Sequence, residues 1–243
     1  MSGHSKWSTI KRKKNLLDIK KSKNFTKIAR EISVAVKEGG TDIATNPRLK
    51  LAIQNAKGIN MPKENIEKAI NKGQTDKTNY SIVTYECAGP NGVTYIIECL
   101  TDNPIRAIGN IKPLLNVSNV KLTKNGAVSF NYEKKCYFEI ENDKSTDIEQ
   151  LQLDIIDQNV NDVEADTDED TIYIKSDDIN FGKIQCYLDQ KNINIKEAGL
   201  IYESRNSVTL PQKEEEMAIN LITNLEDLDD VKSVYHNIEF SQK

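Results

Sequence analysis

A chain of 243 residues, 37% hydrophobic and 29% charged, is long enough for two or three small soluble domains. It contains no apolar run of the length needed to cross a bilayer, which excludes a helical membrane span. The net charge of −4 hides a segregation: residues 1–73 hold 17 basic and 6 acidic side chains, whereas the remainder holds 16 basic and 31 acidic. A basic end of +11 on a body of −15 points to a partner of opposite sign at the N-terminus.

The basic end opens with His4, Lys6 and Trp7, followed by the unbroken run Lys11, Arg12, Lys13 and Lys14. Up to Arg30 there are ten Lys or Arg and a single acid, Asp18. From about Asn15 the pattern predicts a helix. On it Lys20, Lys23, Lys27 and Arg30 fall along one face, and Phe25, Ile28, Ala29, Ile32, Ala35 and Val36 cluster on the other, with Lys21 and Val34 on the wrong sides. Lysine and arginine neutralise phosphates and release condensed counterions, and an indole stacks on an unpaired base. The bland reading is a solvated charged face with Trp7 as an apolar plug. The tenfold excess of base over acid favours polyanion binding.

Gly39 and Gly40 end that helix, and Asn46-Pro47 starts another, because asparagine caps orphan amides and proline suits the first helical position. Leu49, Ala52, Ile53 and Ala56 mark its inner face. A third helix follows Pro62, with Ile66, Ala69 and Ile70 inward and Gly73 as its stop. Residues 1–75 therefore read as a basic all-helical domain.

Beyond the linker at 74–79 the period becomes extended. SIVTYECA, the turn Gly89-Pro90-Asn91-Gly92 and VTYIIECL read as a hairpin or two neighbouring strands. A helix starts at Asn103-Pro104, and the alternation of Val128, Phe130 and Tyr132 predicts a strand over 126–132. From Cys136 to Tyr202 the order is β-α-β-β-α-β, the ferredoxin-like pattern. A closing β-α-β runs from Val208 to Phe240 and has no core of its own. Its natural partner is the β-α-β before Cys136, so 80–133 and 206–243 are expected to form one split domain with 134–205 inserted. The fold class is α+β: helices, then two α+β domains, the third inserted in the second.

Little in the chain looks catalytic. The acids at Glu164, Asp166, Asp168, Glu169 and Asp170 lack the glycine and terminal glutamate of a calcium loop and read as a hairpin turn. His4 and His236 lie at opposite ends and lack a nucleophile partner. No phosphate-binding glycine loop appears. Cys87, Cys99, Cys136 and Cys186 are far apart and read as buried thiols of a reducing cytoplasm. The N-terminus lacks the apolar core of a secretory signal. The expectation is a cytoplasmic non-enzyme with no cofactor, no metal, no small-molecule substrate and no membrane.

Gly3-His4-Ser5-Lys6-Trp7, Phe25-Thr26-Lys27 with Arg30-Glu31, Asn46-Pro47-Arg48-Leu49, Asn60-Met61-Pro62-Lys63, Glu98 to Asn103, and Leu225 to Asn237 together resemble the YebC/PmpR family nearly end to end. The chain departs from that pattern at Thr41, at Cys87-Ala88 and at Pro104, while keeping Arg106. The resemblance implies the three-domain arrangement above and a DNA-binding regulator of transcription. The alternative it implies is a translation factor that contacts ribosomal RNA on the ribosome through the same basic segment. The acidic α+β domains are expected to offer protein contacts.

Overall fold

The computed structural model describes residues 21–76, 78–142, 147–160, 163–168 and 171–240, with side chains from Phe25 onward. These divide into two compact units: residues 21–27, 78–133 and 202–240, and residues 28–76 with the described residues of 134–201.

The helices come first: α1 (Lys21–Gly39), α2 (Pro47–Gly58) and α3 (Lys63–Thr75). Gly40, at φ +81°, closes α1 and donates to the Val36 carbonyl. Asn46 does three jobs. Its Oδ1 accepts from the Leu49 amide, capping α2, while its Nδ2 donates to the Ala35 and Gly40 carbonyls and ties α2 to the end of α1. Leu49, Ala52, Ile53 and Ala56 are buried, as the spacing predicts. Val34 is buried too, because the second half of α1 is enclosed on every side from Ile32 to Val36. Gly73 does not stop α3, which runs on to Thr75. A Cβ there would lie 2.7 Å from the Ser33 carbonyl, so the glycine serves close approach to α1, where Ser33 Oγ also donates to the Ala69 carbonyl.

The same unit contains β4 (Tyr132–Glu141), α5 (Ile148–Ile156), β5 (Glu164–Asp168), β6 (Thr171–Asp177), α6 (Phe181–Gln190) and β7 (Ile195–Ser204), although β4 begins and β7 ends in the other unit. The sheet order β5-β6-β4-β7 is the ferredoxin-like one, and α5 and α6 cover one face over Phe138, Ile140, Ile155, Ile172, Ile174 and Ile184. Helix α2 docks on the β7 edge. Asn55 accepts from the Ala198 amide at 3.0 Å and donates to its carbonyl at 2.9 Å, Lys50 pairs with Asp189 at 2.5 Å, and Leu51 packs against the sheet-and-helix core. Gly58 sits so close to β7 that a Cβ would fall 1.8 Å from the Lys196 carbonyl oxygen.

The other unit is built on β1 (Ser81–Ala88), β2 (Thr94–Thr101), α4 (Pro104–Val117), β3 (Lys121–Leu122), β8 (Val208–Thr209), α7 (Gln212–Glu226), β9 (Val231–His236) and β10 (Ile238–Glu239). Strands β1 and β2 form the expected hairpin, whose turn places Asn91 at φ +56° and Gly92 at +75°. The order β3-β1-β2-β9 sets the last long strand beside β2, and α4 and α7 share one core with this sheet.

The predicted strand over 126–132 is instead a turn followed by a short 3-10 helix at Ser129–Asn131. Val128 and Tyr132 face inward onto Ile96, but the tighter winding rotates Phe130 outward, leaving it 72% exposed. Glu86 fixes this segment. Its carbonyl accepts from Thr123 N and Oγ1, and its carboxylate accepts from the amides of Gly126 at 2.7 Å, Val128 at 2.6 Å and Ser129 at 3.0 Å. Burial alone pushes the Glu86 carboxyl pKa up, yet the amide bonds and the Ser129 side chain outweigh it and hold it below the usual range.

Glu86→Gln keeps the size but turns an N–H toward those amides, so it is expected to lower stability by about 1–3 kcal/mol in urea unfolding. Because the folded carboxyl is depressed, its contribution is complete above the unfolded value and is lost as pH falls through the folded one. The glutamine variant should lack that part of the acid sensitivity, and an unchanged pH dependence would refute the assignment. Alanine for glycine inside a helix ordinarily stabilises by about 1 kcal/mol. Gly58→Ala should reverse that sign and destabilise by about 1–3 kcal/mol, because the backbone of β7 has to move.

Candidate nucleic-acid interface

The residues expected to meet phosphate divide sharply. His4, Lys6, Trp7, Lys11, Arg12, Lys13, Lys14 and Lys20 lie outside the described residues. Lys23, Lys27 and Arg30 all lie on α1, four and three residues apart, so the backbone gives them the spacing of a single helix face. Lys27 is already engaged: its Nζ donates at 2.6 Å to the carbonyl of Glu226, in the last turn of α7, where the helix dipole is negative. Arg30 is half-buried. Lys27 therefore fastens the structure as well as adding to its charge.

More basic side chains line the helices that follow. Lys37, Arg48, Lys57, Lys63, Lys68 and Lys72 are exposed on α1, α2 and α3. Arg48 pairs with Glu38, Lys63 approaches Glu67 at 3.7 Å and Lys72 approaches Asp76 at 3.9 Å. Exposed pairs of this kind contribute only tenths of a kcal/mol, roughly 0.2–1, and exchange readily for a phosphate. Still, α3 mixes both signs, and the dense basic excess stays N-terminal to Glu31.

The motifs farther along the chain hold the fold together rather than presenting groups to a ligand. Asn103 caps α4 by accepting from the Arg106 amide, and Pro104 takes the first helical position, which suits it. Arg106 grips Asp230 through two hydrogen bonds, at 3.1 and 2.7 Å, and reaches Asp102 at 2.6 Å. The bonds to Asp230 and then Asp102 raise its pKa and keep it a cation throughout. Asn237 accepts from the Thr94 amide at 2.8 Å and donates to the Gly92 carbonyl at 3.1 Å. The segments 98–106 and 225–237 thus meet across β2 and β9. Cys87 is fully buried at its departure from the family pattern, and burial pushes its thiol pKa up to about 12.

Three of the four thiols are buried, as expected, but Cys186 is exposed. Of the acids expected in a hairpin turn, Glu164, Asp166 and Asp168 lie along strand β5, antiparallel to β6, with Glu164 paired to Lys175 at 2.6 Å, and Glu169 and Asp170 lie outside the described residues. Among the described residues no group of three His, Cys, Asp or Glu is placed to hold a metal ion. Among them, too, no helix is long and apolar enough to cross a membrane. His236 accepts from the Ile238 amide and stacks edge-on with Phe240. Sequence reasoning missed Phe130, which stands out of the segment fixed by Glu86. Its only signal was the alternation that placed it, wrongly, on the same face as Val128 and Tyr132.

Comparison with known proteins completes the description. A family model described as the TACO1/YebC protein N-terminal domain matches residues 5–76, and one described as the TACO1/YebC second and third domain matches residues 80–238. A probable transcriptional regulatory protein of Amoebophilus asiaticus is 45% identical over 239 residues, covering 98% of either chain. Another, from Thermotoga maritima, is 40% identical over 245 residues, covering all of this chain and 96% of its own. The crystal structure of a conserved hypothetical protein from Aquifex aeolicus superposes with a TM-score of 0.79 at 31% identity, over 93% of each chain. Matched by these family models from residue 5 to residue 238, and aligned with such relatives over nearly its whole length, the chain belongs to the TACO1/YebC family.

Proposed function

We propose that this chain is a cytoplasmic, non-enzymatic regulator of transcription that binds DNA through the phosphates. The observation that carries the reading is the charge segregation, +11 within the first 73 residues against −15 beyond them. His4, Lys6, Trp7, the run Lys11 to Lys14, Lys20, Lys23, Lys27 and Arg30 form the contact surface, with Lys27 divided between phosphate and the end of α7. The working parts are a basic helical head over 1–75, a split α+β domain over 80–133 and 206–243, and an inserted α+β domain over 134–205. The acidic domains offer protein contacts. The printed names of the relatives, probable transcriptional regulatory protein, support the same class of function. Phosphate contacts hold a protein on the polymer without reading its sequence, so target choice rests on features beyond these cations.

With about six phosphates neutralised, affinity for duplex DNA falls roughly a thousandfold between 50 and 200 mM salt. Changing Lys11, Arg12, Lys13 and Lys14 together to alanine should leave only about a tenfold fall over that range, read by fluorescence anisotropy. An unchanged salt slope would sink the proposal. Cosedimentation of the full chain with ribosomes in DNase-treated extract, without a duplex footprint, would move the target from DNA to ribosomal RNA while keeping the same contact surface.

A further inference from the structure

The segment 123–131 combines three properties. It is held still, since the buried Glu86 takes five hydrogen bonds from it through its carbonyl and carboxylate. It displays an aromatic ring, Phe130, with 72% of its surface in solvent. It also carries positive charge in an acidic body. Lys121 and Lys124 are exposed on the approach to the turn, and Arg205 is tied alongside by its amide, which donates to the Asn131 carbonyl at 2.8 Å. Asn206 Nδ2 donates to Asn131 Oδ1 at 3.0 Å, which steadies the far side. The Arg205 guanidinium pairs with Glu133 at 3.0 Å, with both side chains about half exposed, the kind of surface pair that yields to a phosphate.

We infer that Phe130 is a stacking platform for an unpaired nucleobase, with Lys124 and Arg205 holding the flanking phosphates of a single-stranded segment. A rigid exposed ring stacks with any base because every base has a π face, and neighbouring cations track the backbone. A base inside a duplex is already stacked and has no free face to offer. The platform therefore selects unpaired nucleic acid, which the cations of the basic head alone do not. The inference rests on the nucleic-acid-binding reading above and adds a second contact with a different preference.

The test uses the full chain with an oligouridylate and a duplex DNA of equal length. Phe130→Ala should weaken oligouridylate binding roughly tenfold with its salt slope unchanged, and leave duplex binding as it was. Phe130→Trp should keep the affinity and show indole quenching on binding, read against the wild type, whose sole tryptophan is Trp7. Lys124→Ala with Arg205→Ala should reduce the oligouridylate salt slope by about 1.4, at about 0.7 per phosphate contact on a single strand. These positions are exposed, and an unaltered thermal midpoint verifies folding. If Phe130→Ala binds oligouridylate like the wild type, or loses duplex and single strand equally, the platform is refuted while the basic-head reading stands. If the wild type binds neither polymer at low salt, both fall.

Discussion

The pairing of β2 with β9 is the constraint on which this unit depends. It joins positions more than 130 residues apart, running from Tyr95 against His236 to Cys99 against Val231. Closing so long a loop costs chain entropy, and strand pairing alone is a modest counterweight. The sequence places a lock at each end of the ladder. At one end Asn237 bonds the Thr94 amide and the Gly92 carbonyl; at the other Arg106 clamps Asp230, whose carbonyl accepts from the Leu100 amide. Between the locks, Val231, Val234, Ile97 and Cys99 enter the core shared with α4 and α7. The two segments of this unit, separated in sequence by residues 134–201, are stapled by side chains as well as by the backbone.

Recognisable motifs elsewhere in the chain serve the fold in the same way. Asn46, Asn103, Arg106, Asp230 and Asn237 all satisfy backbone groups or each other. Among the described residues, no buried side-chain nitrogen or oxygen lacks a partner. The cations that give the head its charge need no such geometry. One of them, Lys27, is bonded to the end of α7.

The helical half of the fold could be read because its signals are local. The spacing of Leu49, Ala52, Ile53 and Ala56 and the Asn-Pro start of α2 each act within a few residues. So does the Gly-Pro-Asn-Gly turn between β1 and β2. What resisted reading depends on a distant partner. Gly73 resembles a helix stop until Ser33 is seen against it, and Gly58 resembles a loose helix end until β7 is. Val128, Phe130 and Tyr132 alternate like a strand. Glu86, some forty positions earlier, winds this stretch into a turn by accepting the amides of Gly126, Val128 and Ser129, and no periodicity in 126–132 records that. The candidate interface residues were legible as charge; the bond from Lys27 to the end of α7 was not.

The docking of α2 on β7 has a consequence for how this molecule can be dissected. Strand β7 is the border of its sheet, and an uncovered border invites the same strand of another molecule. Asn55 fills one such vacancy on Ala198, and Gly58 lets the helix lie against the next carbonyl. Removing the cationic head to silence it would therefore also strip the guard from this flank, and the truncated remainder would be prone to stick to itself. Charge-neutralising substitutions that spare α2 separate the two roles; scissors do not.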